Sequence, residues 1–484
     1  MNIQNKRLLR KASYINGKWV TAEDRKTFAV KNPYDQSLIT EATDLSRKEI
    51  SSAIEHAQKA LKEWQLKTAE ERSVILKKWF QLQMDYIEDL ATILTYEQGK
   101  PLAEAKGEIK YGAAYVEWFA EEAKRVYGDT IPGHQHDKRI IILKQPIGVV
   151  ATITPWNFPN AMITRKVAPA LAVGCTVVIK PSELTPLSAL ALAELADEAG
   201  IPPGVLNVVT SYDPVAVGEE FTSNPAIKKI SFTGSTPVGK LLMKKSTDTL
   251  KKVSLELGGN APFIVLNDAD IDDAVSGAIA AKYRNAGQTC ICANRIFVQE
   301  EVYDRFIKKF VSEAEKLNLG NGLNSNNQIG PLINEKAVKK VANLVQDAID
   351  KGAQLKLGGT VSEKGGTFFN TTVLANINKT MDIMNQEIFG PVAPIIKFKT
   401  DDEVIELANN TEYGLASYFY GNNMKRVWKI AEALEYGMVG INTGLISTPV
   451  APFGGIKESG IGREGSKYGI DDYLILKYIC LGGI

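Results

Sequence analysis

The sequence predicts an α/β fold built on parallel sheets with helices on both faces. From about residue 140 onward, short β-branched segments alternate with amphipathic segments that are long enough to form helices. Strands separated by such helices form βαβ units, and these units assemble into parallel sheets. The chain has 484 residues, of which 44% are hydrophobic and 23% charged. A chain of this length and composition can bury a large core in about three domain-sized units.

The N-terminal third is predicted to be mostly helical. Apolar residues recur at helical spacing over residues 46–65. Thr68 and Glu71 stand in capping-box register for a second helix, which is expected to end at Gly99. A third helix is predicted over roughly residues 102–126.

Two blocks of alternating strands and helices follow. The first block has predicted strands at 140–143, 148–153, 176–179, 205–209, 229–232 and 253–257, and helices at 188–199 and from about 238. The second block has predicted strands at 264–266 and 295–298, and helices at 271–283, 302–316, 338–351, 404–409 and 425–434. The apolar segment 473–481 is strand-like but too short to fold alone. It is therefore expected to pair with another subunit or to cover a sheet edge.

The composition argues against several classes of protein. Lys and Arg total 57 and Asp and Glu total 56, so the formal charge is only +1, and no nucleic-acid partner is expected. Four cysteines and three histidines are too few for a disulfide scaffold and argue against a metal site. No signal-peptide-length apolar run follows the N-terminus, and charged residues and prolines interrupt the apolar stretch 140–179. A cytoplasmic protein without a membrane partner is expected.

Two glycine-containing segments resemble phosphate-binding motifs. Residues 460–465 match G-x-G-x-x-G but follow a glycine-rich loop, whereas a dinucleotide site requires a strand there. Residues 234–240 nearly match a P-loop and follow a predicted strand, but Leu241 replaces the Ser or Thr that holds magnesium. An NTPase would therefore lack its metal ligand. The second segment fits either a pyrophosphate bound without magnesium or a plain turn between a strand and a helix.

Cys290 is the candidate nucleophile. It lies in a polar, glycine-containing turn, residues 287–292, where a reactive thiol would be accessible. Cys175 and Cys480 lie in apolar segments instead and are predicted to be core residues. The spacing alone fits a structural loop cysteine equally well. No histidine is near Cys290 in sequence, so a Cys–His hydrolase would depend on a distant one.

Six motifs together resemble the aldehyde dehydrogenase family, in its order and spacing and over essentially the whole chain. They are PWNFP at 155–159, FTGS at 232–235, LELGGN at 255–260, GQTC at 287–290, EIFGP at 387–391 and PFGG at 452–455. The resemblance implies two Rossmann-like parallel α/β domains plus a small β oligomerisation element. It implies a NAD-binding domain over 1–126 and 147–257, a catalytic domain over 258–460, and an oligomerisation element over 127–146 and 461–484. A homodimer or homotetramer is expected.

The resemblance also implies a covalent mechanism. The thiolate of Cys290 would attack the aldehyde to give a thiohemiacetal, and the Asn157 side-chain amide with the Cys290 N–H would stabilise its alkoxide. Loss of hydride would leave a thioester, which Glu256 would hydrolyse by activating water. Lys166 and Glu464 would assist proton movement around Glu256. A non-catalytic protein with this fold remains an alternative, which the intact Cys290, Glu256 and Asn157 disfavour.

The cofactor that the resemblance implies is NAD. Lys180 and Glu183 would contact the adenosine ribose, where the Glu183 carboxylate would repel the 2′-phosphate of NADP. Ser235 would meet the pyrophosphate at a helix N-terminus, and Glu387 and Phe389 would position the nicotinamide riboside. The full expected cofactor set is Trp156, Lys180, Ser182, Glu183, Gly234, Ser235, Glu387 and Phe389.

Arg165 and Arg284 predict a carboxylate at the far end of the substrate. Two arginines beside an aldehyde pocket are costly unless an anion pairs with them, although both could instead be surface salt-bridge partners. With Ser447 and the Cys-x-Cys pair, these arginines resemble the succinate-semialdehyde dehydrogenases within the family. The expected activity is therefore NAD(P)-dependent oxidation of succinate semialdehyde to succinate. Glutarate semialdehyde or another carboxylate-bearing aldehyde is the alternative.

Cys292 has two open interpretations. A disulfide to Cys290, two positions away, would be strained and easily reduced, as in a reversible redox switch. Alternatively, Cys292 is a small loop residue without a role.

Overall fold

Parallel strands flanked by helices give the α/β fold that the sequence predicts, and the computed structural model describes residues 1–484. The helices are α1 Arg47–Trp64, α2 Ala69–Asp85, α3 Ile87–Gln98, α4 Leu102–Glu122, α5 Ala161–Ala172, α6 Leu187–Ala199, α7 Pro214–Ser223, α8 Thr236–Ser246, α9 Ile271–Tyr283, α10 Tyr303–Glu315, α11 Glu335–Asp350, α12 Asp401–Asn409 and α13 Met424–Ala433. The strands are β1 Ser13–Ile15, β2 Lys18–Val20, β3 Thr27–Lys31, β4 Leu38–Thr43, β5 Asp129–Ile131, β6 Lys138–Pro146, β7 Val149–Ile153, β8 Thr176–Lys180, β9 Leu206–Val208, β10 Ile227–Thr233, β11 Lys252–Glu256, β12 Ala261–Val265, β13 Ala293–Gln299, β14 Gln354–Leu357, β15 Thr372–Ala375, β16 Val392–Phe398, β17 Tyr413–Gly414, β18 Ala416–Tyr420, β19 Met438–Ile441, β20 Ile456–Lys457, β21 Gly460–Ile461 and β22 Leu474–Gly482.

The first sheet has eight strands in the order β2-β1-β9-β8-β7-β10-β11-β21. Its five central strands, β9 to β11 in that order, run parallel. Strands β7, β8 and β9 follow one another towards one edge of the sheet, whereas β10 and β11 follow one another on the other side of β7. The carboxyl ends of β7 and β10 therefore flank a crevice, which is where α/β sheets of this kind bind ligands.

The second sheet has seven strands in the order β14-β15-β16-β13-β12-β18-β19. All of its strand pairs are parallel except β14 with β15. Its core is the largest apolar cluster of the molecule, with 57 buried residues. Helix α9 packs against this sheet and leads directly into the turn that carries Cys290.

A third sheet joins β5, β6 and the C-terminal strand β22. Strand β22 pairs antiparallel with β6 from Leu474 opposite Pro146 to Gly482 opposite Lys138. The tail therefore pairs along a strand of its own chain. Strand β21, at the expected domain boundary of residue 460, pairs instead with β11 in the first sheet.

Helix α7 and strands β5 and β14 to β21 were not predicted, and three further features differ from the predicted elements. The helix expected from Thr68 to Gly99 is two helices, because the backbone leaves helical geometry at Tyr86 (φ −102°, ψ 23°). Helix α5 was not predicted, because all of its residues are buried and it has no polar face to reveal its period. The short strands β1 to β4 add sheet structure to the N-terminal third, which was expected to be mostly helical. None of the helices combines the length and the hydropathy that a membrane-spanning helix requires.

Candidate active site

Cys290 follows a left-handed turn at the end of α9. Asn285, Ala286 and Gly287 have φ angles of 52°, 54° and 75°. A Cβ on Gly287 would lie 2.1 Å from the carbonyl oxygen of Gly390, so only glycine fits at this position. The turn places the half-buried Cys290 side chain between the segments that follow β7 and β10 and the segment that precedes β16.

Two cavities meet at Cys290. The smaller, of about 210 Å³, is lined by Glu104, Gly107, Glu108, Tyr111, Phe158, Met162, Arg165, Arg284, Thr289, Cys290, Ile291, Ser447 and Phe453. The larger, of about 440 Å³, is lined by Pro155, Trp156, Asn157, Thr233, Gly234, Ser235, Leu257, Gly258, Cys290, Ile333, Asn334, Lys336, Ala337, Lys340, Glu387, Ile388 and Phe389. One thiol can therefore be reached from two sides by two different molecules.

Burial keeps the Cys290 thiol protonated in the free protein. Desolvation, followed by the nearby Glu387 carboxylate, raises the pKa of this thiol to about 12. The guanidinium groups of Arg165 and Arg284 oppose this shift but do not outweigh it. Attack on a substrate therefore requires a base that removes the proton.

Asn157 follows β7 at the wall of the larger cavity. Its Nδ2 donates a hydrogen bond to the carbonyl oxygen of Gln288 at 3.1 Å, and its Oδ1 accepts one from the Phe158 N–H. A side-chain amide has two N–H groups, so one donor of Asn157 stays available for an oxygen bound near Cys290.

Glu256 lies at the carboxyl end of β11 and is 4% exposed. Burial, and then the charge of Glu464, raise the pKa of Glu256 well above its ordinary value. Glu464 itself pairs with Lys166 at 2.5 Å and with Arg165 at 2.7 Å. Although burial opposes it, these two cations hold the pKa of Glu464 below its usual range. Glu464 therefore stays ionised, and Glu256 is the carboxylate that takes up a proton.

Arg165 and Arg284 both face the smaller cavity, together with Ser447. Arg165 is 1% exposed, and its Nε has no hydrogen-bond partner. Arg284 forms no ion pair, and its guanidinium lies 5.2 Å from the ring centroid of Phe158. Neither arginine is a surface salt-bridge partner. Arg284 is unpaired, and Arg165 keeps a free Nε beside its buried pair with Glu464, so both can donate to an anion in this cavity.

The turn after β10 fits a bound phosphate. A Cβ on Gly234 would lie 2.4 Å from Cζ of Phe232, so a larger residue would displace that ring. The side chain of Ser235 does not cap α8, so the first N–H groups of this helix remain free, and such groups bind phosphate. The larger cavity therefore offers a phosphate site at the N-terminus of α8, as a nicotinamide dinucleotide would require.

The sequence profile of the aldehyde dehydrogenase family matches residues 19–479. The chain belongs to the aldehyde dehydrogenase family. It uses NAD(P) and acts on an aldehyde, as the family does.

Several semialdehyde dehydrogenases align with this aldehyde dehydrogenase over their whole length. A succinate-semialdehyde dehydrogenase [NADP(+)] of Escherichia coli is 56% identical, and 100% of each chain is covered. A glutarate-semialdehyde dehydrogenase of Pseudomonas aeruginosa is 57% identical, again with 100% of each chain covered. The crystal structure of a succinate-semialdehyde dehydrogenase from Burkholderia pseudomallei superposes with a TM-score of 0.99 at 56% identity, covering 100% of both chains.

Three of the expected cofactor residues lie outside both cavities of this aldehyde dehydrogenase. Lys180 ends β8, beside β7, and Ser182 and Glu183 follow it. The Lys180 ammonium pairs with Glu183 at 2.8 Å, and Ser182 accepts a hydrogen bond from the Leu184 N–H. Their role at the adenosine end stays a prediction. Trp156, Gly234, Ser235, Glu387 and Phe389, by contrast, line the larger cavity together.

Sequence reasoning missed several charged residues of the site. Glu104 and Glu108 line the smaller cavity from α4, and Lys336 and Lys340 line the larger one from α11. A charged residue on an amphipathic helix normally indicates a solvated face. No signal in the sequence separates these four from the exposed charges around them.

Cys292 lies beside the site but lines neither cavity. Its thiol is buried and donates a hydrogen bond to the carbonyl oxygen of Lys282 at 3.2 Å. All four cysteines are free thiols; Cys175 is buried as predicted, but the prediction of a core position for Cys480 is wrong, because Cys480 lies on the exposed strand β22. The redox switch stays a prediction.

Proposed function

We propose that this aldehyde dehydrogenase oxidises succinate semialdehyde to succinate. The observation that carries the proposal is the smaller cavity, where Cys290 faces two arginines and Ser447. An aldehyde with a carboxylate at its other end would place its carbonyl at the thiol and its anion between the guanidinium groups. Relatives named for succinate and glutarate semialdehydes, both carboxylate-bearing, support this class of substrate.

The protein's own groups account for the chemistry at the aldehyde carbon. Cys290 loses its proton and attacks the carbonyl, and the free N–H of Asn157, with the Cys290 backbone N–H, stabilises the alkoxide of the thiohemiacetal. When bound, NAD(P) supplies the hydride acceptor through which the carbon becomes a thioester. Glu256 then takes a proton from the water that releases succinate.

The hydrolytic step fits the electrostatics around Glu256. Its Oε2 is buried without a hydrogen-bond partner, so it is available to a water molecule. The ionised Glu464 beside it raises its affinity for the proton. Lys166 donates to Glu464, and this ion pair keeps a carboxylate charge beside Glu256 that favours the uptake of a proton from water.

Arg284→Ala should lower kcat/KM for succinate semialdehyde by about 10- to 100-fold, because one charge-assisted hydrogen bond contributes roughly 1.5–3 kcal/mol. The effect should appear mainly in KM. Propanal has no carboxylate, so its kcat/KM should stay within about threefold. Steady-state kinetics with both aldehydes measures the difference. An equal loss on propanal would contradict carboxylate recognition by Arg284.

The same kinetics separate the two semialdehydes. Glutarate semialdehyde is longer by one methylene, which is worth only ~1–3 kcal/mol of discrimination. A higher kcat/KM for glutarate semialdehyde than for succinate semialdehyde would select the alternative substrate.

Glu183 is proposed to favour NAD over NADP. Its carboxylate would accept hydrogen bonds from the ribose hydroxyls and repel a 2′-phosphate. Glu183→Gln should therefore improve kcat/KM for NADP relative to NAD by at least about tenfold, because it removes the repulsion and frees Lys180 from its ion pair. Kinetics with each cofactor measure the ratio. An unchanged ratio, or a wild-type enzyme that prefers NADP, the cofactor in the name of the Escherichia coli relative, would refute this role.

The domain roles and the assembly are part of the same proposal. Residues 1–126 and 147–257 would bind the cofactor, and residues 258–460 would carry the thiol. Residues 127–146 and 461–484 would join copies into a homodimer or homotetramer. Exposed apolar side chains on the third sheet, at Leu143, Leu476 and Tyr478, support such a contact.

A further inference from the structure

Lys100 is a fully buried lysine in the short joint between α3 and α4. Its side chain is 0% exposed, and its Nζ pairs with the equally buried Glu108 at 2.6 Å. The ammonium also donates a hydrogen bond to the backbone carbonyl of Asn157 at 2.8 Å and lies 3.7 Å from the ring centroid of Phe158. An ammonium has three donors. The carboxylate, the carbonyl and the aromatic face therefore account for all three.

The contact with Asn157 is part of a local network. The Asn157 carbonyl also accepts a hydrogen bond from Nδ2 of Asn285 at 2.9 Å. That same Nδ2 donates to the Gln288 carbonyl, which is the acceptor for Nδ2 of Asn157. Lys100 thus fixes the backbone of the very residue whose side-chain amide is proposed to hold the alkoxide.

Glu108 extends the network to the helix that carries Arg165. Its second oxygen, Oε1, accepts hydrogen bonds from the backbone N–H groups of Asn160 at 2.9 Å and Ala161 at 3.2 Å. These N–H groups lie at the start of α5, where a carboxylate also meets the positive end of the helix dipole. The pair Lys100–Glu108 therefore joins the Asn157 segment to the N-terminus of α5.

Burying two opposite charges is costly, and a hydrophobic pair of the same size is often as stable or more stable. A contribution to the stability of the fold therefore does not by itself explain why this ion pair is buried. Its contacts reach Asn157, on the wall of the larger cavity, and Phe158, which lines the smaller cavity together with Glu108 itself.

We propose that Lys100 and Glu108 are positioning residues that hold Asn157 in place for the alkoxide. The proposal rests on the oxyanion role proposed for Asn157. It predicts that loss of the Lys100 contact slows the attack on every aldehyde to the same degree, because the carbonyl end is common to all of them.

The test uses the full-length enzyme with succinate semialdehyde and with propanal. Lys100→Met alone leaves the Glu108 charge buried without a partner and endangers folding. The double variant Lys100→Met with Glu108→Gln removes both charges and keeps an amide oxygen for the N–H groups of α5. We expect kcat/KM of the double variant to fall by about 10- to 100-fold on both aldehydes, with the ratio between the aldehydes unchanged within about threefold.

Lys251→Met is the matched control. Lys251 is also buried, and its Nζ donates to the carbonyl oxygens of Asn224 and Ile227, at the far end of β11 from Glu256. It should lower the thermal unfolding midpoint while kcat/KM stays within about threefold. The double variant should have a lower kcat/KM than this control, although the two variants lose comparable thermal stability.

Asn157→Ala separates the two ways in which the proposal can fail. The substitution should lower kcat/KM on both aldehydes by about 10²- to 10³-fold. If it does, a double variant that keeps its rate, or that loses rate on succinate semialdehyde alone, overturns the positioning role of Lys100. If Asn157→Ala keeps its rate, the oxyanion role itself is wrong, and the positioning role fails with it.

Discussion

Cys290→Ala should lower kcat for succinate semialdehyde by at least about 10⁴-fold, because no other group can form the covalent intermediate. Cys290 is the only cysteine on the wall of either cavity at the site. Cofactor binding should survive, since the larger cavity keeps all of its other walls. Steady-state kinetics and a cofactor titration measure these two properties separately.

Cys292→Ala is the matched control for that experiment. Cys292 is buried two residues away and donates only to backbone carbonyls. Its loss should leave kcat within about threefold. A Cys290→Ala enzyme with substantial activity would contradict covalent catalysis by this thiol.

The raised pKa of Cys290 also predicts how the chemical labelling of this thiol depends on pH. A thiol with a pKa of about 12 is almost entirely protonated at neutral pH, and only the thiolate reacts with an alkylating agent. The rate of Cys290 labelling by iodoacetamide in the free enzyme should therefore rise about tenfold per pH unit from pH 7 to pH 10. Mass spectrometry of the labelled peptide follows it. A plateau below pH 9 would show a thiolate stabilised before any ligand binds.

The fold was predictable where the hydrophobic pattern has a period. The helix predicted over 46–65 is α1, Arg47–Trp64, with the capping box of Ser46 and Glu49. Helix α5 could not be found in this way, because its core-facing and site-facing sides are both buried. Yet this helix carries Arg165 and Lys166. Its position depends on tertiary contacts, such as the hydrogen bonds that Glu108 accepts at its N-terminus.

The site was predictable only in part, for a related reason. A polar turn after a helix indicated Cys290 from the sequence itself. Asn157 and Glu256 entered through the family resemblance, because they stand at the ends of different strands, and strand order is not visible in the sequence. Lys100 has a glycine and a proline as neighbours, which is typical of an exposed turn. Only the fold shows that its charge is buried against Glu108.

Glu256→Gln should lower steady-state kcat by about 10²- to 10⁴-fold, because an amide cannot take a proton from water. The first turnover should persist, since formation of the thioester does not require water. We therefore expect a rapid burst of reduced cofactor close to one equivalent per site, followed by slow turnover. Intact-protein mass spectrometry should find the acyl group on Cys290 during the slow phase.

The pH dependence of kcat gives an independent measure of Glu256. A general base acts as carboxylate, and the pKa of this carboxyl group is raised by burial and by Glu464. Activity limited by hydrolysis should therefore increase as the pH rises through that raised pKa and be lost below it. The Gln variant should lack this pH-dependent limb.

Glu220→Gln is the matched control, because Glu220 is also a buried carboxylate but pairs with Arg47 on α1 and lines neither cavity. It should keep the burst, the pH limb and kcat within about threefold. The presence or absence of an acyl group on Cys290 during slow turnover distinguishes two roles for Glu256. If Cys290 carries no acyl group while turnover of Glu256→Gln is slow, the slow step precedes the thioester. Glu256 would then act as the base that removes the thiol proton, a role that the pKa of about 12 at Cys290 also demands of some group.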